Sequence, residues 1–312
     1  MLLSVVIPCY NEEENVSLFY KTIVKVFGPL MGDTELVFVN DGSTDGTYEE
    51  LRKVYRKSPY RIKVVSFSRN FGKEAALLAG LRNTEGDFVS IIDADLQQRP
   101  EYVLQMMDIL KEHPEYDAVA AYQEQRKESK LLTFFKDCFY KIIDKVTDVE
   151  MFQSASDFRL LRRSVVDAIC NLPEKCRFSK GIFAWVGFNT YYMPYVVEER
   201  AFGTTKWSFW KLFAYAIDGI VAFSTTPLVV ASFAGLILCV VSVLLMMWIV
   251  IKTLIWGDPV AGFPTLASLL LLTSGIQLLC TGIIGQYLAK NYTETKNRPV
   301  YVVKDLLDSS KK

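Results

Sequence analysis

Four short polar clusters each follow an apolar run that reads as a strand: Pro8-Cys9-Tyr10-Asn11-Glu12, Asn40-Asp41-Gly42-Ser43, Ser68-Arg69-Asn70 and Asp93-Ala94-Asp95-Leu96-Gln97. Asp93 and Asp95, one residue apart, point to a hard divalent cation with oxygen ligands. Gln97 adds an amide oxygen at the same spacing. Such a cation can bridge a diphosphate and offset charge on a departing nucleotide. Asp41 has the chemistry to accept hydrogen bonds from a base or ribose, Tyr10 to stack on a base, and Arg69 to bind an anion. Asp41 and Arg69 have plainer alternatives. The run from Asp41 to Gly46 also reads as a turn followed by a helix cap, and Arg69 as half of a surface ion pair. One Asp-x-Asp triplet means little alone; four clusters in register make a shared site the simplest account.

The elements that would position these clusters alternate. Residues 2–7, 35–39, 62–67 and 88–92 read as strands, and 119–121 as a fifth. Between them 13–26, 46–55, 72–82 and 100–111 carry helical patterns. Short apolar strands separated by helices predict a mostly parallel sheet covered on both faces. Ligands in such folds bind beyond the carboxyl ends of the strands, where all four clusters fall. Neither a GxGxxG nor a GxxxxGK[ST] sequence is present, so a dinucleotide fingerprint and a P-loop both lack support.

Composition narrows the chemistry further. The only histidine, His113, precedes Pro114 near the end of a predicted helix, which suits a capping or surface role. Histidine-based metal sites, Ser-His-Asp triads and Cys-His pairs are thereby set aside. The six cysteines form no CxxC pair and read as reduced and mostly buried. A formal net charge of zero gives no support to a nucleic-acid partner. The apolar run at the N-terminus is too short, and lacks the basic leader, for a secretory signal. The polar body is therefore expected in the cytoplasm.

From Gly219 to Ala289 the only charged residues are Lys252 and Asp258. Within that stretch, 228–251 and 266–289 are each long enough to cross about 30 Å of hydrocarbon as a helix. Gly275, Gly282 and Gly285 suggest a close helix contact in the second. The short connector holds Gly257, Pro259, Gly262 and Pro264 and reads as a turn between antiparallel spans. Lysines and arginines cluster outside the connector, which puts both ends on the cytoplasmic side. The alternative is a pair of buried helices in a large soluble protein. Two further stretches read as interfacial: an amphipathic helix at 131–146, and 206–217 with Trp207, Phe209, Trp210 and Phe213 beside Lys206 and Lys211.

These residues carry a resemblance. VVIPCYNEEEN from Val5, VNDGSTDGT from Val39, SRNFGKEAALLAGL from Ser68, DADLQQRPE from Asp93, SDFRLLRRSVVDAI from Ser156 and EERAFGTTKW from Glu198 precede two apolar spans and ETKNRPVYVVKDL. Together they resemble the bacterial polyprenyl-phosphate glycosyltransferases of glycosyltransferase family 2, of the bactoprenol glucosyl transferase type. The dolichyl-phosphate mannose synthases are similar at greater distance. The chain departs from many such relatives in having Asn40 where they have Asp.

The resemblance implies an α/β GT-A catalytic domain over 1–200 and an interfacial helix over 201–225. A two-helix transmembrane domain over 226–290 and a cytoplasmic tail over 291–312 with a strand-like run would follow. It implies Mg²⁺ or Mn²⁺, a nucleotide-sugar donor and a polyprenyl phosphate acceptor in the bacterial plasma membrane. A homo-oligomer such as a tetramer is also implied. Pro8, Tyr10, Asn11, Glu12, Asp41 and Arg69 would hold the nucleotide. Asp93 would sit near the donor, with a part in catalysis and nucleotide binding, and would serve the metal together with Asp95 and Gln97. Asp157 matches a carboxylate assigned to catalysis, with an ion pair to Arg159 or Arg162 as its structural alternative. Arg126, Arg200 and Lys206 would lie near the lipid phosphate or the departing diphosphate. UDP-glucose is the donor the resemblance favours, ahead of UDP-galactose, UDP-N-acetylglucosamine and GDP-mannose. A processive polysaccharide synthase is a poorer match, since no QxxRW motif is present and two spans offer little material for a channel. A non-catalytic membrane scaffold on the same fold is opposed by the intact acidic set.

Overall fold

The computed structural model describes residues 2–123, 152, 155–198, 221, 224–256 and 262–309. The expected amphipathic helix at 131–146 lies outside this set, as does nearly all of the interfacial segment.

The chain runs β1 (Leu3–Cys9), α1 (Glu13–Phe27), a 3₁₀ turn (Gly28–Asp33), β2 (Thr34–Asn40), α2 (Thr47–Lys57), β3 (Arg61–Phe67), α3 (Lys73–Arg82) and β4 (Phe88–Ile91). It continues through α4 (Glu101–Glu112), β5 (Ala118–Gln123), β6 (Ala155–Arg162), α5 (Arg163–Asn171), α6 (Ser179–Trp185) and β7 (Thr190–Tyr195). Two long helices, α7 (Thr226–Trp256) and α8 (Phe263–Thr295), precede a last strand, β8 (Val303–Asp308).

The strands form one sheet in the order β7-β5-β6-β4-β1-β2-β3-β8. Strands β4, β1, β2 and β3 are parallel, as alternation with helices requires. The sheet as a whole is mixed but mostly parallel, as expected: among the described strands all but β6 and β8 run in the sense of β1. β6 runs antiparallel between β4 and β5, and β8 runs antiparallel along β3.

Alternation along each strand sends side chains to two separate cores. Leu3, Val5 and Ile7 face one side, against Phe19 and Ile23 of α1, Leu51 of α2 and Met106 of α4. Val6 faces the other, against Leu77 of α3, Val166 of α5 and Ile182 of α6. Val39, Val65 and Phe67 meet Ala75, Ala76 and Ala79 of α3 in a third cluster, joined by Tyr301. Small residues let α3 lie close to the sheet. A Cβ on Gly80 would overlap the Val6 side chain.

The rim away from the polar clusters holds a buried network. Glu35 accepts hydrogen bonds from Ser4 Oγ and the Glu85 backbone N–H, and its carboxylate lies 3.2 Å from Lys63 Nζ. Lys63 also pairs with Glu85 at 2.5 Å.

Among the described residues one helical stretch, Thr226–Leu245, is long and apolar enough to cross a membrane, with a mean hydropathy of 2.9 and none of it buried. α7 and α8 lie antiparallel. Tyr287 Oη donates to Ser224 O at 2.5 Å, while Cys280 Sγ approaches Ala231 O at 3.8 Å. The glycine expectation is corrected: a Cβ on Gly275, Gly282 or Gly285 would meet nothing within 4 Å. Larger side chains such as Cys280 and Tyr287 make this contact instead. The cysteine expectation is corrected too. All five described cysteines are free, but only Cys9 is buried; Cys239 points outward from α7. His113 ends α4 and pairs with Glu115 at 3.1 Å, a surface role as expected.

Candidate active site

The described polar clusters meet at the carboxyl rim of the parallel strands. After β1, Asn11 adopts a left-handed backbone, φ 54°. Its N–H donates to Ser43 Oγ at 3.0 Å and its Oδ1 accepts from Thr44 N at 2.9 Å. Glu12 N–H donates to Thr47 Oγ1 at 2.8 Å, and its carboxylate accepts from Asn15 Nδ2. Asn11 and Glu12 thus tie the first cluster to the second. Pro8 sits within β1, and Tyr10, just beyond it, remains 37% exposed.

Asp41 is buried. Its Oδ1 accepts from the backbone N–H of Phe71 at 2.7 Å, and its Oδ2 from that of Gly72 at 3.0 Å. Burial holds its carboxyl above the usual carboxylate range, outweighing the lowering effect of these two amides. The structure therefore commits Asp41 to fixing the β3–α3 loop. The turn that follows is also present, since Asp45 accepts from Thr47 at the start of α2. Gly42, at φ 60°, passes so close that a Cβ there would overlap the Arg69 and Asn70 backbone. The Arg69 guanidinium lies 4.3 Å from the Phe71 ring centroid and donates to Asn70 O. A cleft of about 160 Å³ opens beside this loop; Gly42, Ser43 and Ser68 line one side, and Lys304 and Asp305 of β8 the other.

Asp93 follows β4. Its N–H donates to Gln98 Oε1 at 2.9 Å, and its Oδ2 accepts from Gln98 Nε2. Lys73, the first residue of α3, places its ammonium 3.0 Å from Asp93 Oδ1 and 3.0 Å from Asp157 Oδ2. One lysine thus joins two carboxylates that the sequence placed far apart. Burial by itself pushes the Asp157 carboxyl up. Lys73, Lys180 and Arg159 outweigh that and hold it at about 2. Burial likewise pulls Lys73 down, but Asp93 and Asp157 more than reverse it, so the ammonium is charged across the working range. The anticipated partners of Asp157 are otherwise engaged. Arg159 lies over Phe183 at 3.6 Å and donates to Ser156 O, and Arg162 donates to Tyr116 O and Leu110 O.

The loop after Asp93 is held under strain. Leu96 has φ 60°, costly for a side chain of its size. Asp95 Oδ1 accepts from Gln97 N–H at 3.1 Å. Gln97 Nε2 donates to Glu198 O, and Glu198 N–H donates back to Gln97 O. Gln97 commits its amide nitrogen to a carbonyl, and its other polar atom is an oxygen, the donor a hard cation takes. Asp93 and Asp95 supply carboxylates within the same loop, so the donor chemistry fits Mg²⁺ or Mn²⁺. Among the described residues no three His, Cys, Asp or Glu side chains gather as a ready-made metal cage.

The structure therefore brings Asp93, Asp157, Asp41, Asn11 and Gln97 into one connected rim. Arg126, Arg200 and Lys206 lie outside the described residues. Sequence reasoning missed Lys73, although it stands inside the SRNFGKE run. Its position at a helix start, where the dipole disfavours a cation, was the available signal.

The family model for glycosyl transferase family 2 matches residues 4–170. An uncharacterized glycosyltransferase of Synechocystis sp. is 42% identical over 97% of this chain and 95% of its own. The SfII prophage-derived bactoprenol glucosyl transferase of Shigella flexneri is 39% identical over 97% and 98%. A prophage bactoprenol glucosyl transferase homolog of Escherichia coli is 39% identical over 97% and 99%.

Proposed function

The chain belongs to glycosyl transferase family 2, and from that premise we propose that it moves glucose from UDP-glucose to undecaprenyl phosphate at the cytoplasmic face of a bacterial plasma membrane. The observation that carries this reading is the rim itself. Asp93 and Asp157 converge on Lys73 beside the Asp95–Gln97 loop, in a chain that continues into a helix with outward-facing apolar side chains. The bactoprenol glucosyl transferases match it along nearly their whole length, which favours the same acceptor class.

In this reading one oxygen of the lipid phosphate attacks the anomeric carbon as the nucleoside diphosphate leaves. A single displacement inverts the centre, giving a β-linked sugar phosphate from an α-linked donor. The acceptor is a phosphate monoester with a second pKa near about 6, so it is already largely the dianion at neutral pH. No strong base is needed, and a carboxyl held at about 2 makes a poor one. Asp157 serves instead to orient the cationic group beside it. Asp93, Asp95 and Gln97 would hold Mg²⁺ or Mn²⁺, which when bound offsets charge on the leaving diphosphate. Pro8, Tyr10, Asn11, Glu12, Asp41 and Arg69 shape the nucleotide end. Arg200, Lys206 and Arg126 reduce the repulsion between two anionic reactants, with arginine suited to paired hydrogen bonds to phosphate.

Both long helices belong to the membrane in this reading. Leu278 and Leu288 of α8 are 73% and 66% exposed, and Phe233 and Trp248 of α7 each 62%, a surface suited to hydrocarbon. The antiparallel pairing returns the chain to its starting side, and β8 then rejoins the catalytic sheet. Both termini are thus cytoplasmic. This reading divides the chain at 1–200, 201–225, 226–290 and 291–312, a division supported at its last part by the return of β8 to the sheet. The lipid product serves the cell envelope, including lipopolysaccharide decoration, and the enzyme works as a homo-oligomer.

The test is a donor screen with purified full-length protein, undecaprenyl phosphate and Mn²⁺ or Mg²⁺, reading glycolipid by mass spectrometry. UDP-glucose is expected to give product that disappears on chelation. Product only from UDP-galactose, UDP-N-acetylglucosamine or GDP-mannose would reassign the sugar. No lipid product from any donor defeats the reading.

A further inference from the structure

Three observations converge on Lys73. It begins α3, where unpaired backbone N–H groups make the local field positive and a cation is disfavoured. Its backbone is nevertheless fixed there. The N–H groups of Phe71 and Gly72, the two residues before it, are held by Asp41, and Gly72 turns at φ 96° to start the helix. Its ammonium then reaches two carboxylates from different strands, at 3.0 Å each. The loop geometry, the helix start and the reach of the side chain all deliver one positive charge between Asp93 and Asp157.

We propose that Lys73 is the built-in counter-ion of Asp93 and Asp157, in competition with a divalent cation for Asp93: a cation that binds there displaces the ammonium from Asp93 and leaves it with Asp157. This deepens the proposed transferase reading and rests on it. Without such a charge, Asp93 and Asp157 would repel each other across a partly desolvated rim. With it, the two carboxylates are held together, and metal binding must displace an ammonium from Asp93. Lys73 therefore opposes metal binding while ordering the site for turnover. It is a positioning residue in this scheme, since it acts through the two carboxylates it holds.

The consequence runs against the usual result of damaging an active site. Lys73→Met keeps the length of the stem and removes the charge, so it should bind Mn²⁺ more tightly than the wild type, by about fivefold or more, while turnover falls. Lys73→Arg retains the charge and should keep the wild-type Mn²⁺ affinity. The measurement is a Mn²⁺ titration of detergent-solubilised full-length protein, followed by electron paramagnetic resonance, in the absence of donor. Lys73 is 41% exposed at its side chain, so Lys73→Met is expected to fold, and Lys73→Arg serves as a milder second variant. Mn²⁺ affinity that is unchanged or weaker in Lys73→Met, with wild-type binding measurable, overturns the counter-ion role and leaves the transferase reading standing. No Mn²⁺ binding by the wild type, with or without UDP, overturns both.

Discussion

Tyr301 stacks on Phe67, ring centroids 5.0 Å apart and planes 16° apart. Phe67 ends the third strand, immediately before Ser68 and Arg69, and Ser68 N–H donates to Val302 O at 3.0 Å. The chain that leaves α8 is therefore fastened to the strand end that lines one side of the rim cleft. Tyr301→Ala should lower stability by about 1–2 kcal/mol through lost stacking and packing. It should raise the donor KM more than it lowers kcat. A thermal melt and a donor titration check both; a lower melting temperature with unchanged donor KM would separate the tail from the site.

Asp157→Asn is expected to lower kcat by about 100-fold, through misplacement of the group it orients, while sparing donor affinity. Lys73 loses one of its two carboxylate partners in that variant. The pH dependence is equally specific. A carboxyl depressed to about 2 contributes stability that is present above its ordinary range and lost only as the pH falls toward that value. Asp157 therefore does not titrate near neutrality. The acid limb of kcat/KM belongs to the acceptor, whose dianion disappears as the pH drops through about 6. Wild type and variant should share that limb. A limb seen in the wild type and missing from the variant would assign the proton to Asp157.

Gly42→Ala should cost about 1–3 kcal/mol and displace the β3–α3 loop. It places a side chain at φ 60° and against the Arg69 backbone. Chemical denaturation and nucleotide binding should both report it. A variant with wild-type stability and donor affinity would show that the loop yields freely.

Lys63→Met tests the opposite rim. Removing the ammonium leaves Glu35 buried beside a methyl group, a loss of about 3–5 kcal/mol for a broken buried pair. Because this network lies away from the polar clusters, kcat of the folded fraction should stay near that of the wild type. A specific loss of kcat without a loss of stability would link that rim to catalysis.

Arg200→Ala is expected to weaken acceptor use more than donor binding. Glu198, two residues earlier, exchanges two hydrogen bonds with Gln97, so the chain as far as Glu198 is held beside the Asp95–Gln97 loop. Kinetics with varied undecaprenyl phosphate at saturating donor decide it, and unchanged acceptor kinetics would remove Arg200 from the phosphate end.

By itself the sequence determined the elements and the family. Short-period apolar alternation set β1 to β4 and the helices between them to within a few residues, because these patterns depend on neighbours along the chain. Four polar strand ends located the rim for the same reason, and the uncharged stretch marked the long helices. Tertiary structure alone decided the antiparallel senses of β6 and β8, the return of the tail to β3, and the lysine between Asp93 and Asp157. Each joins groups distant in the chain, where the partner is chosen by packing geometry and by the energy of leaving a charge or a strand edge uncompensated. Asp41 shows the division most clearly. Its place at a strand end was legible, but its bonding to the amides of Phe71 and Gly72 required the two loops to meet.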